Sequence, residues 1–256
     1  MTCTHLGTTF DLHGGGKDLI FPHHENEIAQ AEGATGRPFA RHWVHVEHLF
    51  VEHEKMSKSL GNVYAIPDVV ARGHRPSALR YLLLSSHYRK ELNFTWVGMD
   101  QADEAIRRIV DFLARLEDVN AEGSHAAVEE MVARARTGFQ AALQDDLNTA
   151  AALAAVFELV REVNAAIDAH EVGRSDAALV TGAVEEFDRV LGVVSLRRAE
   201  DAKPPIPVEE IERLMGERKS ARQRRDFAEA DRIRQSLADH GILLEDNPGG
   251  TRWKRK

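Results

Sequence analysis

The chain reads as an α/β block followed by an α-helical bundle and a small α+β module. Three observations predict this order. Strand-like and helix-like segments alternate over residues 1 to about 98, and apolar residues recur at steps of three and four from about Asp100 to Val194. Ala202-Lys-Pro-Pro-Ile-Pro207 then interposes a stiff, extended linker, because consecutive prolines favour extended backbone. The predicted domains are therefore 1–98, 99–200 and 201–256.

In the first block, Thr9 to His13 alternates in polarity and reads as a strand end, with Gly14-Gly15-Gly16 following it. Small residues there let backbone approach a ligand at the carboxyl edge of a parallel sheet, where doubly wound folds bind nucleotides. Pro22 precedes His23-His24-Glu25-Asn26-Glu27, and proline is favoured in a first helical turn. A helix opening there puts His23 and Glu27 at i and i+4 on one face, where an imidazole and a carboxylate can share a metal whose other ligands come from elsewhere. Trp43-Val44 with Leu49-Phe50-Val51 reads as buried strand. His42, His45 and His48 do not keep to one face of it and are assigned no metal role.

Residues 55 to 59 read Lys-Met-Ser-Lys-Ser, followed by Leu60-Gly61-Asn62. Two ammonium groups and two hydroxyls in five residues suit the negative charge that builds on a triphosphate when its α-phosphorus is attacked and pyrophosphate leaves. The chemistry suggested is nucleotidyl transfer. Pro67, Gly73 and Pro76 break the region beyond.

The helical block carries apolar stripes at Ile106, Ile109, Val110, Phe112 and Leu113, and again at Leu153, Val156, Phe157 and Val160. Asp146-Leu-Asn-Thr149 opens one of its helices with capping residues. An antiparallel bundle follows, its stripes serving as core and not as a cofactor site. The terminal module reads as a helix from Val208 to about Arg225, a second from Phe227 to about His240, strand-like Ile242 to Asp246, a Pro-Gly-Gly turn and strand-like Thr251 to Lys256.

Composition limits the alternatives. With 256 residues of which 43% are hydrophobic, the chain can build two or three small cores. One cysteine implies a reducing compartment without structural disulfides. No signal peptide or membrane-length apolar run is present, so a cytoplasmic location and no membrane partner are expected. Net charge is −8, but nucleic-acid binding depends on where positive charge lies. Arg218, Lys219, Arg222, Arg224 and Arg225 cluster, and the chain finishes Arg252-Trp-Lys-Arg-Lys256.

The Lys55–Ser59 pentapeptide resembles the second signature of class I aminoacyl-tRNA synthetases, and the stretch from Phe10 to Glu27 narrows the likeness to the cysteinyl family. The resemblance runs along nearly the whole chain. It implies part of a Rossmann-type class I catalytic domain, a helical domain like that of cysteinyl and arginyl synthetases, and a small anticodon-reading domain. It further implies that His23 and Glu27 hold half of a Zn2+ site and that His13 belongs to a histidine-lined pocket floor. ATP with Mg2+ would be a substrate, bound by Gly16, Asp18, Lys55, Ser57, Lys58 and Ser59, with Asp18 on the ribose and Lys55 and Lys58 catalytic on the leaving pyrophosphate. A soft metal that binds the substrate thiolate would separate cysteine from serine, which a cavity alone does weakly. Arg222, Phe227, Asp231, Arg234 and Asp246 match the implied anticodon contacts. Phe227 stands where the family often has Trp, so stacking survives without an indole donor.

Some of the family pattern is missing. The other signature, His-Ile-Gly-His, occurs nowhere in the chain, nor do the two cysteine zinc ligands, since Cys3 falls a few residues downstream of the second. Two expectations follow. In one, the chain is the carboxyl-terminal portion of a cysteine–tRNA ligase, inactive without an amino-terminal catalytic half, with cysteine, ATP and tRNA-Cys as substrates. In the other, it is a non-catalytic tRNA-binding protein derived from the synthetase. The retained lysine loop and zinc-ligand pair favour the first. The related enzyme that joins cysteine to a sugar amine fits less well, since it lacks the terminal module.

Overall fold

The computed structural model describes residues 2–204, 206–247 and 250–255, without the side chains of Lys58, Glu245, Asn247, Arg252, Lys254 and Arg255. After a short helix, α1 (Thr2–Leu6), strand β1 (Phe10–Gly16) runs into a tightly wound segment, Lys17–His24, which leads directly into α2 (Glu25–Thr35) and then β2 (Ala40–Val46). β1 and β2 pair in parallel from Phe10 opposite Ala40 to Gly16 opposite Val46. The glycine run therefore lies inside the strand, not after it as the sequence suggested. The cause is crowding: a Cβ on Gly14 would sit 3.2 Å from the carbonyl oxygen of Val44, and one on Gly15 would sit 2.8 Å from the His24 ring. Only glycine lets the strand continue past these neighbours.

The segment expected as one buried strand is two, because β2 ends at Val46 and β3 (Leu49–Val51) joins a different sheet. β3 pairs antiparallel with β4 (Glu54–Lys55) and parallel with β5 (Leu92–Phe94). The β3–β4 turn uses left-handed backbone at Glu52 (φ 48) and His53 (φ 69). It is held by the Asn93 side chain, which accepts from the His53 amide at 2.9 Å. Pro67 and Pro76 do not merely interrupt the chain. They stand in the first turns of α3 (Ile66–Ala71) and α4 (Pro76–Leu84), where a missing N–H costs nothing.

Helix α5 (Trp96–Glu117) begins at the Thr95 cap, whose hydroxyl accepts from the Gly98 amide at 2.9 Å. Its first turns supply Met99 and Ala102 to a core shared with Val51, Val69, Ala78, Leu82 and Phe94. The rest, from Ile106 to Leu116, enters the larger core of the bundle. The expected boundary at residue 98 thus falls within one continuous helix. The bundle continues through α6 (Ala126–Gln144), α7 (Thr149–Asp168) and α8 (Arg174–Leu191), followed by α9 (Val194–Asp201). Asn148 caps α7 by accepting from the Ala151 amide at 3.1 Å. Asp176, only 1% exposed, accepts from the amides of Gly173 (2.9 Å) and His125 (3.0 Å), so one carboxylate serves the starts of both α6 and α8.

The chain divides into two compact units, Met1–Val194 and Ser195–Lys256. The second holds α10 (Val208–Gln223), α11 (Phe227–Asp239) and a hairpin of β6 (Ile242–Asn247) with β7 (Gly250–Arg255). Ile211, Ile233, Leu237, Ile242 and Leu244 form its core. Pro248 and Gly249, where the sequence predicted a turn, and Lys256 lie outside the described residues.

Candidate functional site

Three elements converge at the carboxyl end of β1. β1 supplies His13, the wound segment supplies His23 and His24, and the first turn of α2 supplies Glu27. His13 Nε2 stands 3.0 Å from Glu27 Oε2, and His23 Nε2 stands 3.7 Å from Glu27 Oε1. The expected i, i+4 pair is therefore on one face, although His23 is 61% exposed while His24 is 4% exposed. His13, His24 and Glu27 can each turn one donor atom into a common space less than 4.8 Å across. Despite its short distance to His13, the buried Glu27 Oε2 lacks a hydrogen-bond partner in suitable geometry.

Sequence reading gave His24 no role of its own and assigned His45 no metal role. In the fold, His24 Nδ1 lies 2.8 Å from His45 Nε2, and both rings lie against Trp43. Burial, then the neighbouring His13 and His45 rings, lowers the pKa of His24 and so favours the uncharged ring. The missing signal was the parallel register: Gly15 lies opposite His45, and the space above Gly15 is filled by the His24 ring. A neutral imidazole beside a buried, unpartnered carboxylate oxygen is a donor set that fits a zinc-type cation.

Next along β1, a Cβ on Gly16 would collide with the Asp18 carboxylate, so the glycine leaves Asp18 room to fold back over the strand end. Lys17 Nζ donates to Glu47 Oε2 at 2.6 Å, and this bond raises the lysine pKa and lowers that of Glu47. The lysine loop leaves β4 at Lys55, an exposed residue. Asn62 closes it from both ends, its Oδ1 accepting from the Ser57 amide at 2.8 Å and its Nδ2 donating to the Lys55 carbonyl at 3.2 Å. Ser57 and Ser59 bring their hydroxyls to 3.1 Å. The Lys58 side chain lies outside the described residues, while its backbone starts the short turn Lys58–Leu60.

In the terminal unit, Arg222 and Asp246 come together at 3.1 Å. Phe227 is 61% exposed at the start of α11, and Asp231 and Arg234, four and seven residues on, share its helical face and are exposed. Arg218, which sequence reading did not single out, is 6% exposed and forks onto both oxygens of Asp246 at 2.9 and 2.7 Å. That fork, with the Thr251 hydroxyl, holds the Asp246 carboxyl far below the usual carboxylate range. No helix among the described residues is long and apolar enough to cross a membrane.

A parallel strand pair ending in glycines, a lysine loop beyond it and a following helical bundle define a class I aminoacyl-tRNA synthetase architecture. Solved structures share it at the level of fold. The Agrobacterium radiobacter K84 agnB2 LeuRS, in a ternary complex with tRNA and LeuAMS, matches 72% of this chain and 26% of its own at TM-score 0.53 and 20% identity. Mycobacterium tuberculosis methionyl-tRNA synthetase, in complex with methionyl-adenylate, matches 72% of this chain and 40% of its own at TM-score 0.51 and 19% identity. Family models narrow the class. The tRNA synthetases class I (C) catalytic domain matches residues 1–104, the DALR domain 138–196, and the cysteinyl-tRNA ligase anticodon binding domain 207–253. The chain belongs to the cysteine–tRNA ligase family. Cysteine–tRNA ligases of Solibacter usitatus and Koribacter versatilis are 47% and 43% identical across all of this chain, which spans 54% and 57% of their lengths. That of Geobacter sulfurreducens is 44% identical, with 56% of its length spanned.

Proposed function

We propose that this chain is the part of a cytoplasmic cysteine–tRNA ligase that carries the lysine loop, half of the zinc site and the tRNA-reading module. The observation that carries the reading is the buried, unpartnered oxygen of Glu27 facing His13 and His24, in the same domain as an asparagine-closed lysine loop. A module that only binds RNA has no use for either feature. As the resemblance implies, His23 and Glu27 would hold zinc together with ligands that come from elsewhere. Bound there, Zn2+ supplies a soft Lewis acid that favours a thiolate over a hydroxyl. His13 and the neutral His24 wall the amino-acid pocket.

In the first step the cysteine carboxylate oxygen attacks the α-phosphorus of ATP, and the bond to the bridging oxygen of pyrophosphate breaks. Lys55 and Lys58 neutralise the charge that grows on the departing pyrophosphate, while Asp18 orients the ribose. A hydroxyl of the terminal adenosine of tRNA-Cys then attacks the carbonyl of the adenylate and releases AMP. Asn62 keeps the loop in the conformation that this charge neutralisation requires.

The test is cysteine-dependent ATP–pyrophosphate exchange by the native protein that contains this chain, purified from its source cell. Exchange with cysteine and not serine, lost with Lys55→Ala, is the expected result. Binding of tRNA-Cys without any exchange would overturn the ligase reading and leave a non-catalytic RNA-binding protein.

A further inference from the structure

Helix α6 passes to α7 through two consecutive left-handed residues, Asp146 (φ 54) and Leu147 (φ 57). Neither is glycine, and such backbone persists only where the surrounding structure holds it. The start of α7 does not account for it, because Asn148 is the cap there. The turn instead brings the Asp146 carboxylate onto the segment that follows α4. Oδ1 accepts from the Tyr88 hydroxyl at 2.6 Å, and Oδ2 accepts from Arg89 Nε at 2.5 Å. Arg89 Nη2 adds a longer bond to Oδ1 at 3.3 Å. Close by in sequence, the Thr149 hydroxyl donates to the Leu84 carbonyl at 2.8 Å.

The same segment reaches the carboxyl end of β2. The Tyr88 carbonyl accepts from the amide of Glu47, the residue just past that strand, at 2.9 Å. Glu47 Oε1 accepts from the His48 amide at 3.2 Å and Oε2 from Lys17 Nζ at 2.6 Å. Lys17 stands between Gly16 and Asp18, so this bond ties the ends of both parallel strands and holds the turn Lys17–Leu19, from which the Asp18 carboxylate folds back. An exposed lysine–carboxylate pair holds little by itself. Here the lysine is 62% exposed but the glutamate only 11%, and the glutamate is fixed through its own amide and that of His48.

We propose that Asp146 is a positioning residue for the nucleotide site: through Tyr88 it sets Glu47, and Glu47 through Lys17 sets the turn that carries Asp18. All of these residues belong to one compact unit. The assignment rests on the ligase reading above, in which Asp18 orients the ribose, and goes beyond it by giving the helical bundle a part in ATP binding.

The experiment measures KM for ATP, KM for cysteine and kcat in pyrophosphate exchange by the native protein that contains this chain, with thermal unfolding of every variant. Asp146→Asn removes the charge while asparagine still tolerates left-handed backbone. This change and Glu47→Gln should each raise KM for ATP by about 3- to 10-fold, with KM for cysteine little changed. In the Glu47→Gln background, Asp146→Asn should raise it no further, since both act through one turn. Lys17→Met should match Glu47→Gln, whereas Lys17→Arg, which keeps the charge, should retain most of the ATP affinity. Asp145→Asn alters the neighbouring exposed carboxylate and should leave all three constants unchanged. If Asp146→Asn fails to fold, Tyr88→Phe, which removes one hydroxyl from the same chain of contacts, takes its place in the cycle. A lowered Tm with an unmoved KM for ATP would overturn the proposal by showing that the contacts serve folding alone. Independent, multiplying effects of Asp146 and Glu47 would overturn it by showing that no relay joins them. Absence of exchange in the unmodified protein would instead remove the ligase reading on which the proposal stands.

Discussion

Gly15→Ala tests how tightly the strand, the histidine cluster and the proposed metal site are coupled. The new Cβ would meet His24 Cε1 at 2.8 Å and Leu19 Cδ1 at 2.9 Å. Ordinary carbon contacts are about 3.5–4.0 Å, so the His24 ring must retreat by about 0.7 Å or the strand must shift. Retreat is opposed, because the ring is 4% exposed, bonded to His45 at 2.8 Å and packed on Trp43. Overpacking of this kind costs about 1–3 kcal/mol. For a unit of this size that lowers Tm by roughly 3–10 °C. If the proposed zinc site is there, displacing its wall also weakens zinc binding by about 10- to 100-fold. The assay is thermal unfolding of the full chain with and without added zinc, together with a zinc titration. Gly33→Ala is the control: Gly33 lies inside α2 with nothing within 4 Å of its would-be Cβ, so the change should stabilise by about 0.5–1 kcal/mol. A Gly15→Ala protein that melts and binds zinc as the unmodified chain does would refute the coupling.

Asn62→Ala opens the lysine loop by removing its bonds to the Ser57 amide and the Lys55 carbonyl. On the ligase reading proposed above, it should lower kcat for exchange by the native protein about tenfold with KM for cysteine little changed, because in that reading the loop acts where charge develops. A fall in cysteine affinity at constant kcat would count against that role. Asp176→Ala leaves the starts of α6 and α8 without their shared acceptor and should destabilise the bundle by about 2–4 kcal/mol in denaturant unfolding. Burial alone would raise the Asp176 pKa, but hydrogen bonds from His125 and Gly173 outweigh it and hold the folded value below that of an unfolded aspartate. Its contribution is therefore fully present above the unfolded pKa, near 4, and fades as pH falls through the folded value. Asp176→Asn should flatten that acid limb, and an unchanged pH profile would contradict the assignment.

Much of the site was legible in the sequence because it depends on neighbours along the chain. His23 and Glu27 share a face through helical spacing alone, and the lysine loop concentrates its charge within five residues. The elements of the terminal module and the bundle stripes were legible too, since a period of 3.6 or 2 needs no knowledge of the partner surface. Tertiary structure decided the rest. The glycine run belongs to the strand because β2 and the His24 ring crowd it, and no local signal reports that crowding. His45, set aside because its own strand showed no metal pattern, matters through a ring that arrives from another element. Arg218 looked like one surface arginine among several. The return of β6 across α10 buries it against Asp246 and makes it the fixed end of an arginine pair. Composition and periodicity determined which residues could do chemistry and which faces would be buried. Which donor meets which acceptor depended on contacts between residues distant in sequence, and only chain closure sets those.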